Sequence, residues 1–310
     1  MTVFGRGSEP RQAAVADAGY TGRVAAITGA ASGIGRALAV RLAQHGARLA
    51  LSDVDEAALG ATVAQCEGLG AEVTARSVDV ADSHAMQRWA DATAETYGSV
   101  HLIFNNAGVA VASTVEAMSD EDFRWLMDID FWGVVHGTRA FLPYVKASGA
   151  GHVVNISSVF GLISVPSQAA YNAAKFAVRG FTDALRLELA IEGAPVRCTT
   201  VLPGGIKTNI VRNARVDPSI AGMGSDPAGA RDGFDRIAMT TPDRAARQIL
   251  RAVGRGRARV LVGPDAKVID FLARLPGPPT ERVLVAVARR NRRGRRHRPR
   301  SGSPAAGSGG

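Results

Sequence analysis

Residues 28–35 (TGAASGIG) lie between an apolar run and a helical pattern, and they decide how the rest of the chain is interpreted. Before them, residues 23–28 (RVAAIT) have the length and composition of a buried strand; after them, RALAVRLAQHG has the apolar spacing of a helix. Gly29, Gly33 and Gly35 let the backbone approach a diphosphate at the positive end of that helix. The stretch predicts a dinucleotide site, although a glycine turn alone also fits a turn that is merely tight.

Asp53 ends the second apolar run, eighteen residues beyond Gly35. A doubly wound fold places the acid that binds the ribose hydroxyls close to this position. A carboxylate there repels a 2′-phosphate, and no basic residue occurs at residues 30–32 or immediately after Asp53. The pattern favours NAD over NADP; the alternative is that Asp53 only caps the helix that follows it.

Seven short apolar runs alternate with segments of helical periodicity. The runs are residues 23–28, 47–52, 71–78, 100–105, 151–157, 196–202 and 258–263. This alternation predicts an α/β fold with a single doubly wound parallel sheet of seven strands, in the order 3-2-1-4-5-6-7, and helices on both faces.

The chain is divided by composition into three parts. We expect a flexible extension at 1–21, which lacks the apolar stretch of a secretory signal, one domain at 22–275, and a basic, mostly disordered tail at 276–310 with a short helical pattern, ERVLVAVARRNRR. Inside the domain, residues 203–241 are irregular and rich in Gly, Pro and Asp, which is typical of a binding loop or lid. A helical pattern, PDRAARQILRAV, follows.

The net charge of +9 is concentrated at one end of the chain. Residues 289–300 (RRNRRGRRHRPR) hold eight arginines and no acid, so the remainder carries a net charge of only +1. This tail either attaches weakly to anionic membranes or nucleic acid, or is a solvated end. Cys66 and Cys198 have neither metal-type nor disulfide spacing, and no run approaches the roughly 20 apolar residues of a membrane span. We therefore expect a cytoplasmic protein with inert thiols.

Tyr171 and Lys175, in the stretch YNAAK, share one face of a predicted helix because they are four residues apart. A phenol has an ordinary pKa of about 10, and a neighbouring cation favours its phenolate form. Ser158 follows the strand that ends in HVVNIS and could hydrogen-bond a carbonyl or hydroxyl oxygen. The three residues predict proton transfer near neutral pH; taken alone, Tyr171 and Lys175 also fit two surface side chains.

In the order and spacing of its motifs, the chain resembles the short-chain dehydrogenase/reductase family over residues 22–263. The matching motifs are TGAASGIG, Asp79 in SVDVAD, NNAG at 105–108, Ser158, YNAAK and PGGIKT at 203–208. The resemblance implies a Rossmann-like fold and hydride transfer at a carbinol or carbonyl carbon. It also implies a homodimer or homotetramer built on the long helices that contain Asp130 and Tyr171.

The resemblance also implies site residues. Tyr171 is the general acid or base, Ser158 polarises the substrate oxygen, and Lys175 tunes the phenol and binds the nicotinamide ribose. The expected cofactor-binding residues are Gly29, Ser32, Gly33, Ile34, Gly35, Asp53, Asp79, Val80, Asn106, Ala107, Gly108, Tyr171, Lys175, Pro203, Gly204, Ile206 and Thr208.

Asp130 departs from the family pattern, because an asparagine normally occupies its position and fixes a water beside the lysine. Aspartate keeps an acceptor oxygen but lacks the amide donor and can carry charge. We expect Asp130 to order the lysine-linked water and include it among the catalytic residues. The alternative is that this role is lost and bulk water replaces it.

The residues that should face the substrate are mostly apolar: Val109, Ala110, residues 159–162 and the loop after Pro203. They favour a hydrophobic secondary alcohol or ketone with NAD as cofactor. An NADP-dependent ketone reductase and a catalytically silent dinucleotide-binding sensor or scaffold are the alternatives. The histidines His101, His136 and His152 show no metal-type spacing, and we interpret them as structural or surface residues.

Overall fold

Buried apolar runs form one parallel sheet in the computed structural model, which describes residues 19–210, 213–223, 238–274 and 285–286. The seven strands lie in the order β3-β2-β1-β4-β6-β7-β9, as predicted, and every pairing is parallel. A second sheet pairs β5 with β8. The strands are β1 (Val24–Thr28), β2 (Arg48–Asp53), β3 (Val73–Ser77), β4 (Leu102–Asn105), β5 (Val111–Ala112), β6 (Gly151–Ile156), β7 (Val196–Pro203), β8 (Arg215–Val216) and β9 (Arg259–Val262).

Helices cover both faces of the large sheet. They are α1 (Gly33–Gln44), α2 (Glu56–Glu67), α3 (Ser83–Tyr97), α4 (Asp120–Met127), α5 (Gly133–Ala147), α6 (Ala169–Glu192), α7 (Pro242–Gly254) and α8 (Pro264–Ala273). A π-helical turn, Asp128–Trp132, joins α4 to α5, and 3₁₀ turns occupy Val159–Gly161 and Pro218–Met223. Side chains of Asp55, Asp82, Ser119 and Thr241 accept from first-turn amides and so begin four of the helices.

One hydrophobic cluster packs on each face of the sheet. On one face, Leu38 and Leu42 of α1 and Ile249 of α7 pack against the strands. On the other face, Trp89 of α3 meets Phe141 of α5 edge to face, with ring centroids 4.8 Å apart. The strands between these layers are apolar on both sides, which explains why they occur in the sequence as continuous apolar runs.

Four elements were not predicted from the sequence. The strands β5 and β8 and the 3₁₀ turn Pro218–Met223 bring order to a region expected to be irregular or unassigned. The helix α8 begins with proline at its first position, after the last strand. Within the predicted basic helix at 281–293, only Val285 and Ala286 are described, and they are helical; the remaining residues lie outside the described part, as do most of both predicted termini.

No helix in the described ranges combines the length and the apolar character needed to cross a membrane.

Candidate active site

The glycine turn after β1 is tightly packed against the loop that follows β4. Gly29 has φ +65°, and a Cβ there would lie 2.8 Å from Ala107 Cα. At Gly35 a Cβ would lie 2.1 Å from the Gly29 carbonyl oxygen. Only glycine fits either position without a backbone shift.

The start of α1 is suited to binding an anion. The exposed Ser32 is the N-cap residue, but its side chain makes no capping hydrogen bond, and no acidic residue lies in the first turn. The amides of Gly33 and Ile34 therefore remain available to a diphosphate at the positive end of the helix. Ile34 packs partly against the core.

The turn after β7 approaches the glycine turn from across the cleft. A Cβ on Gly33 would lie 3.1 Å from Thr208 Cγ2, so the turn after β7 lies close to the glycine turn after β1. The Pro203–Gly204 turn is held by Asp265 at the start of α8, whose Oδ2 accepts from the Gly205 amide at 2.5 Å. A Cβ on Gly204 would collide with this carboxylate. Ile206 is buried and bridges to Thr240.

Asp53 lies beside the glycine turn, as predicted. Its Oδ2 accepts from the Ala31 amide at 2.9 Å and its Oδ1 from the Asp55 amide at 3.1 Å. The side chain remains partly exposed at the carboxyl end of β2, and Asp55, not Asp53, caps α2 through the Ala58 amide. The alternative that Asp53 is only the cap of that helix is therefore wrong.

The loop after β4 is fixed to the first strand by Asn106. Its side-chain amide donates to the carbonyl oxygens of Thr28 and Gly29. The Thr28 hydroxyl accepts from the amides of Asn106 and Ala107. These bonds place Ala107 and Gly108 at the same edge of the sheet as the glycine turn.

Asp79 and Val80 follow β3 at this edge. Asp79 is exposed and its Oδ1 accepts from the Ala81 amide, whereas Val80 is buried and packs against Gly133. The ring of His136 contacts the Val80 carbonyl oxygen at 3.0 Å. His136 thus has a structural contact, in agreement with its sequence interpretation.

Ser158, Tyr171 and Lys175 converge at the carboxyl end of β6. The helix α6 presents Lys175 Nζ 5.3 Å from the centroid of the Tyr171 ring, and Nζ also donates to the Ile156 carbonyl oxygen at 3.4 Å. Ser158 is buried, and its Oγ accepts from the Phe160 amide at 3.1 Å. The predicted proximity of the three side chains is present in the fold.

Asp130 contacts Lys175 directly. Its Oδ2 lies 2.9 Å from Lys175 Nζ, and the side chains are 0% and 5% exposed. Its Oδ1 accepts from the Val109 amide at 2.7 Å. The sequence predicted a carboxylate that orders a water beside the lysine, and that role stays a prediction. The ion pair itself was not predicted; it forms because the π-helical turn brings Asp130 into contact with the amine.

The pKa of Tyr171 is raised above its ordinary value, contrary to the prediction that Lys175 brings it toward neutrality. Burial is the largest cause; Lys175 lowers the pKa, Asp130 raises it, and hydrogen bonding with Ser158 lowers it. Burial also lowers the pKa of Lys175, but attraction to Asp130 and Tyr171 outweighs burial and leaves it raised. The lysine is therefore an ammonium. Burial raises the pKa of Asp130, whereas attraction to Lys175 and the hydrogen bond from the Val109 amide lower it, so the 2.9 Å contact with the ammonium is what favours the carboxylate form.

Asn172 organises the loop that carries Ser158, and the sequence analysis missed it. Its side chain donates to the carbonyl oxygens of Phe160 and Ile163 and accepts from the Val165 amide. Its signal was present inside YNAAK, where a buried polar side chain next to Tyr171 requires partners. Asp265 was missed as well; the Pro-Asp pair that opens α8 was its signal.

Tyr171 belongs to an apolar cluster. Val109, Met118, Trp125 and Phe131 are in the same cluster, and Phe160 meets Tyr171 edge to face, with ring centroids 6.0 Å apart. Pairing of β5 with β8 ties the segment after Ala110 to the loop that follows β7. The Tyr171 side chain is therefore partly buried in an apolar environment.

The model of the short chain dehydrogenase family matches residues 23–219, within the predicted domain. The chain belongs to this family. Membership agrees with the sheet order, the glycine turn and the convergence of Ser158, Tyr171 and Lys175, and it makes the protein an oxidoreductase of the dehydrogenase/reductase type.

A named relative of this short-chain dehydrogenase is SadH from Mycobacterium tuberculosis, whose name describes an oxidoreductase. It is 51% identical over 268 residues, which cover 86% of this chain and 95% of SadH.

Solved structures of the family superpose on the fold. A short-chain dehydrogenase/reductase from Burkholderia phymatum in complex with NAD has a TM-score of 0.76 and 34% identity, covering 84% of this chain and 98% of the other. Carveol dehydrogenase from Mycobacterium avium, also with NAD, has a TM-score of 0.66 and 28% identity over 74% and 90%. An alcohol dehydrogenase from Thermococcus sibiricus complexed with 5-hydroxy-NADP has a TM-score of 0.63 and 25% identity over 74% and 89%. The neighbours thus hold NAD or an NADP derivative.

Proposed function

We propose that the protein is an NAD-dependent dehydrogenase or reductase that interconverts a hydrophobic secondary alcohol and its ketone. The observation that carries this proposal is the Tyr171 phenol, which lies beside Ser158 and the Lys175 ammonium and belongs to an apolar cluster. A general acid or base next to a hydrogen-bond donor is what a carbinol or carbonyl oxygen requires.

The residues of the cleft fit a dinucleotide. The close backbone approach at Gly29 and Gly35 and the uncapped amides of α1 suit a diphosphate, and the Asp53 carboxylate suits ribose hydroxyls. We propose that Asn106, Gly108, Pro203 and Thr208 contact the rest of the cofactor. When bound, NAD supplies the acceptor for hydride.

The chain's own residues handle the proton. In alcohol oxidation, Tyr171 Oη accepts the hydroxyl proton while the Ser158 hydroxyl orients the substrate oxygen; in ketone reduction, Tyr171 returns the proton. The Lys175 ammonium favours the phenolate form of Tyr171 electrostatically. The raised pKa of Tyr171 makes the protein without ligands a better proton donor than acceptor at neutral pH.

NAD is favoured over NADP by Asp53. The Ala31 and Asp55 amides fix the carboxylate at the carboxyl end of β2, where it would repel a 2′-phosphate. Two of the three solved neighbours described above hold NAD, which supports the same choice. An NADP-dependent ketone reductase is the alternative, since the third neighbour holds an NADP derivative.

A silent dinucleotide-binding sensor or scaffold is the alternative from another class. It needs the glycine turn but not the buried, hydrogen-bonded Ser158, Tyr171 and Lys175 set. A sensor has no use for these three side chains together, so their joint presence favours an enzyme.

Assembly into a homodimer or homotetramer is part of the proposal. The helix α6 leaves Phe176, Leu187 and Ile191 40%, 55% and 88% exposed, and Trp132 at the start of α5 is 46% exposed. These apolar side chains support association through the two helices. A cytoplasmic location is proposed from the cysteine usage, and the Arg-rich tail is proposed as a weak contact to anionic membranes or nucleic acid.

Turnover with a paired substrate panel tests the proposal. We expect NAD reduction with apolar cyclic secondary alcohols and little with polyols of similar size. Tyr171→Phe should still bind NADH, because the glycine turn and Asp53 are unchanged, but lose most of its turnover, on the order of 10²-fold or more. Parent enzyme that binds NADH yet oxidises no alcohol and reduces no ketone in the panel would contradict catalysis and favour the sensor alternative.

A further inference from the structure

The ion pair between Asp130 and Lys175 is isolated from other charges. Lys175 Nζ is 2.9 Å from Asp130 Oδ2, and neither side chain is more than 5% exposed. In the described part of the chain, the only other ionisable group acting on the pair is Tyr171, from the same helix as Lys175. The loop after β4 contributes only the Val109 amide, and the loop after β6 contributes the Ser158 hydroxyl.

The surrounding backbone is shaped around this pair. A Cβ on Gly108 would lie 3.3 and 3.4 Å from the two carboxylate oxygens and 3.5 Å from Lys175 Nζ. The Val109 amide holds the second carboxylate oxygen, and the π-helical turn presents Asp130 to the interior. The carboxylate is therefore fixed from two sides, by an amide and by an ammonium.

We propose that Asp130 is a positioning residue whose buried carboxylate holds Lys175 next to Tyr171 by direct contact. Its negative charge also opposes the loss of the phenol proton, so Tyr171 stays protonated to a higher pH than it would beside Lys175 without Asp130. Asp130 contacts Lys175 and the Val109 amide, and its charge acts on Tyr171 electrostatically. A carboxylate near a phenol opposes phenolate formation, whereas an ammonium favours it, so the paired charges largely cancel at Tyr171.

The consequence concerns the direction of catalysis. A phenol that stays protonated is a better acid than base, so the pair favours ketone reduction over alcohol oxidation at neutral pH. This consequence rests on the proposed function, whereas the charge coupling itself does not.

Titration of the Tyr171 phenol tests the coupling without any substrate. Phenolate absorbance in the near ultraviolet is followed against pH for the parent and for Asp130→Asn, and the same curves for each in a Tyr171→Phe background are subtracted. Asparagine keeps an acceptor for the Val109 amide and removes the charge. We expect the midpoint of Tyr171 to lie about one pH unit or more lower in Asp130→Asn. An unchanged or higher midpoint overturns the proposal.

A double-mutant cycle covers the case in which Asp130→Asn folds poorly. Asp130→Asn and Lys175→Met each leave a buried charge without its partner, so each should lower the unfolding temperature, and the double variant should unfold at a higher temperature than Lys175→Met alone. Additive losses overturn the direct pairing. Where a ketone is turned over, the pH at half-maximal kcat should shift with the phenol midpoint while KM stays within about twofold. Absence of turnover in the parent tells against the proposed function and leaves the titration result intact.

Discussion

The side-chain amide of Asn172 donates to the carbonyl oxygen of Phe160 at 2.9 Å and thereby ties the loop that follows Ser158 to the helix that carries Tyr171. The same side chain satisfies the Ile163 carbonyl and the Val165 amide, at 3.0 and 3.1 Å. Close to these bonds, Ser167 has φ +66°, an uncommon value for a residue other than glycine. The buried Asn172 amide thus helps to set the relative position of the serine and the phenol, together with the hydrogen bond from the Ser157 hydroxyl to the Lys175 carbonyl oxygen.

Replacing Asn172 with alanine should damage catalysis more than binding. Three backbone groups lose their partner, which should lower the free energy of unfolding by about 1–3 kcal/mol. The released loop should lower kcat on the order of 10- to 100-fold through misplaced Ser158, with little effect on NADH affinity. Steady-state kinetics and chemical denaturation measure both, and Ser164→Ala, at an exposed position of the same loop, is the control. Equal kcat in Asn172→Ala and Ser164→Ala would refute the role.

The glycine turn can be tested by comparing two helical glycines. A Cβ at Gly35 would lie 2.1 Å from the Gly29 carbonyl oxygen, whereas a Cβ at Gly60 in α2 meets nothing within 4 Å. Gly35→Ala should destabilise the fold by about 1–3 kcal/mol and weaken NADH binding, because the turn must move. Gly60→Ala should stabilise it by about 0.5–1 kcal/mol. Thermal unfolding and NADH titration provide the comparison, and identical behaviour of the two variants would count against the tight turn.

His152 should make stability depend on pH. Burial is the main cause that lowers its pKa from 6.5 to about 3, and its ring contacts the Thr199 hydroxyl at 2.7 Å. The unfolded chain binds a proton at this residue below about pH 6.5 while the folded chain does not, so stability falls as pH decreases from that value toward 3. The contribution approaches about 1.4 kcal/mol per pH unit.

His152→Asn removes this titration and keeps a polar side chain beside Thr199. Unfolding by urea at pH 7.0 and pH 5.0 should show a smaller loss of stability in the variant than in the parent. His84→Asn, in the exposed first turn of α3, is the control and should keep the parent's slope. If His152→Asn loses as much stability between the two pH values as the parent does, the interpretation of His152 as a buried neutral histidine is wrong.

The sheet could be predicted from sequence because its central strands, such as β1 and β6, are buried on both faces and are therefore continuous apolar runs. The strand order could be predicted because the motifs occur in the order typical of the family. The proximity of Ser158, Tyr171 and Lys175 could be predicted because helical spacing places Tyr171 and Lys175 on one face and Ser158 follows a neighbouring strand. Asp53 was placed correctly because the end of β2 and the glycine turn meet at the same edge of a parallel sheet.

Other features depend on tertiary contacts that leave little local pattern. The two-residue pairing of Val111 with Arg215 is set by the approach of two loops. The helix α8 is short and mostly exposed, so its apolar periodicity is weak. The contact between Asp130 and Lys175 depends on a π-helical turn that no residue pattern predicts. The burial that raises the pKa of Tyr171 results from packing by several separate elements.

The cofactor can be decided with a matched pair of carboxylates. Asp53→Asn removes the charge beside the glycine turn and keeps an acceptor for the Ala31 amide. Asp55→Asn removes a charge two residues away and keeps the cap on the Ala58 amide. Only the first change should affect discrimination against a 2′-phosphate.

Fluorescence titration with NADH and NADPH, for the parent and both variants, tests the NAD-dependent function most directly. The parent should bind NADH at least about tenfold more tightly than NADPH, a difference of about 1.4 kcal/mol. Asp53→Asn should narrow that ratio and Asp55→Asn should leave it unchanged. A parent that prefers NADPH, or a ratio that Asp53→Asn does not alter, would contradict the assignment of Asp53 and of NAD.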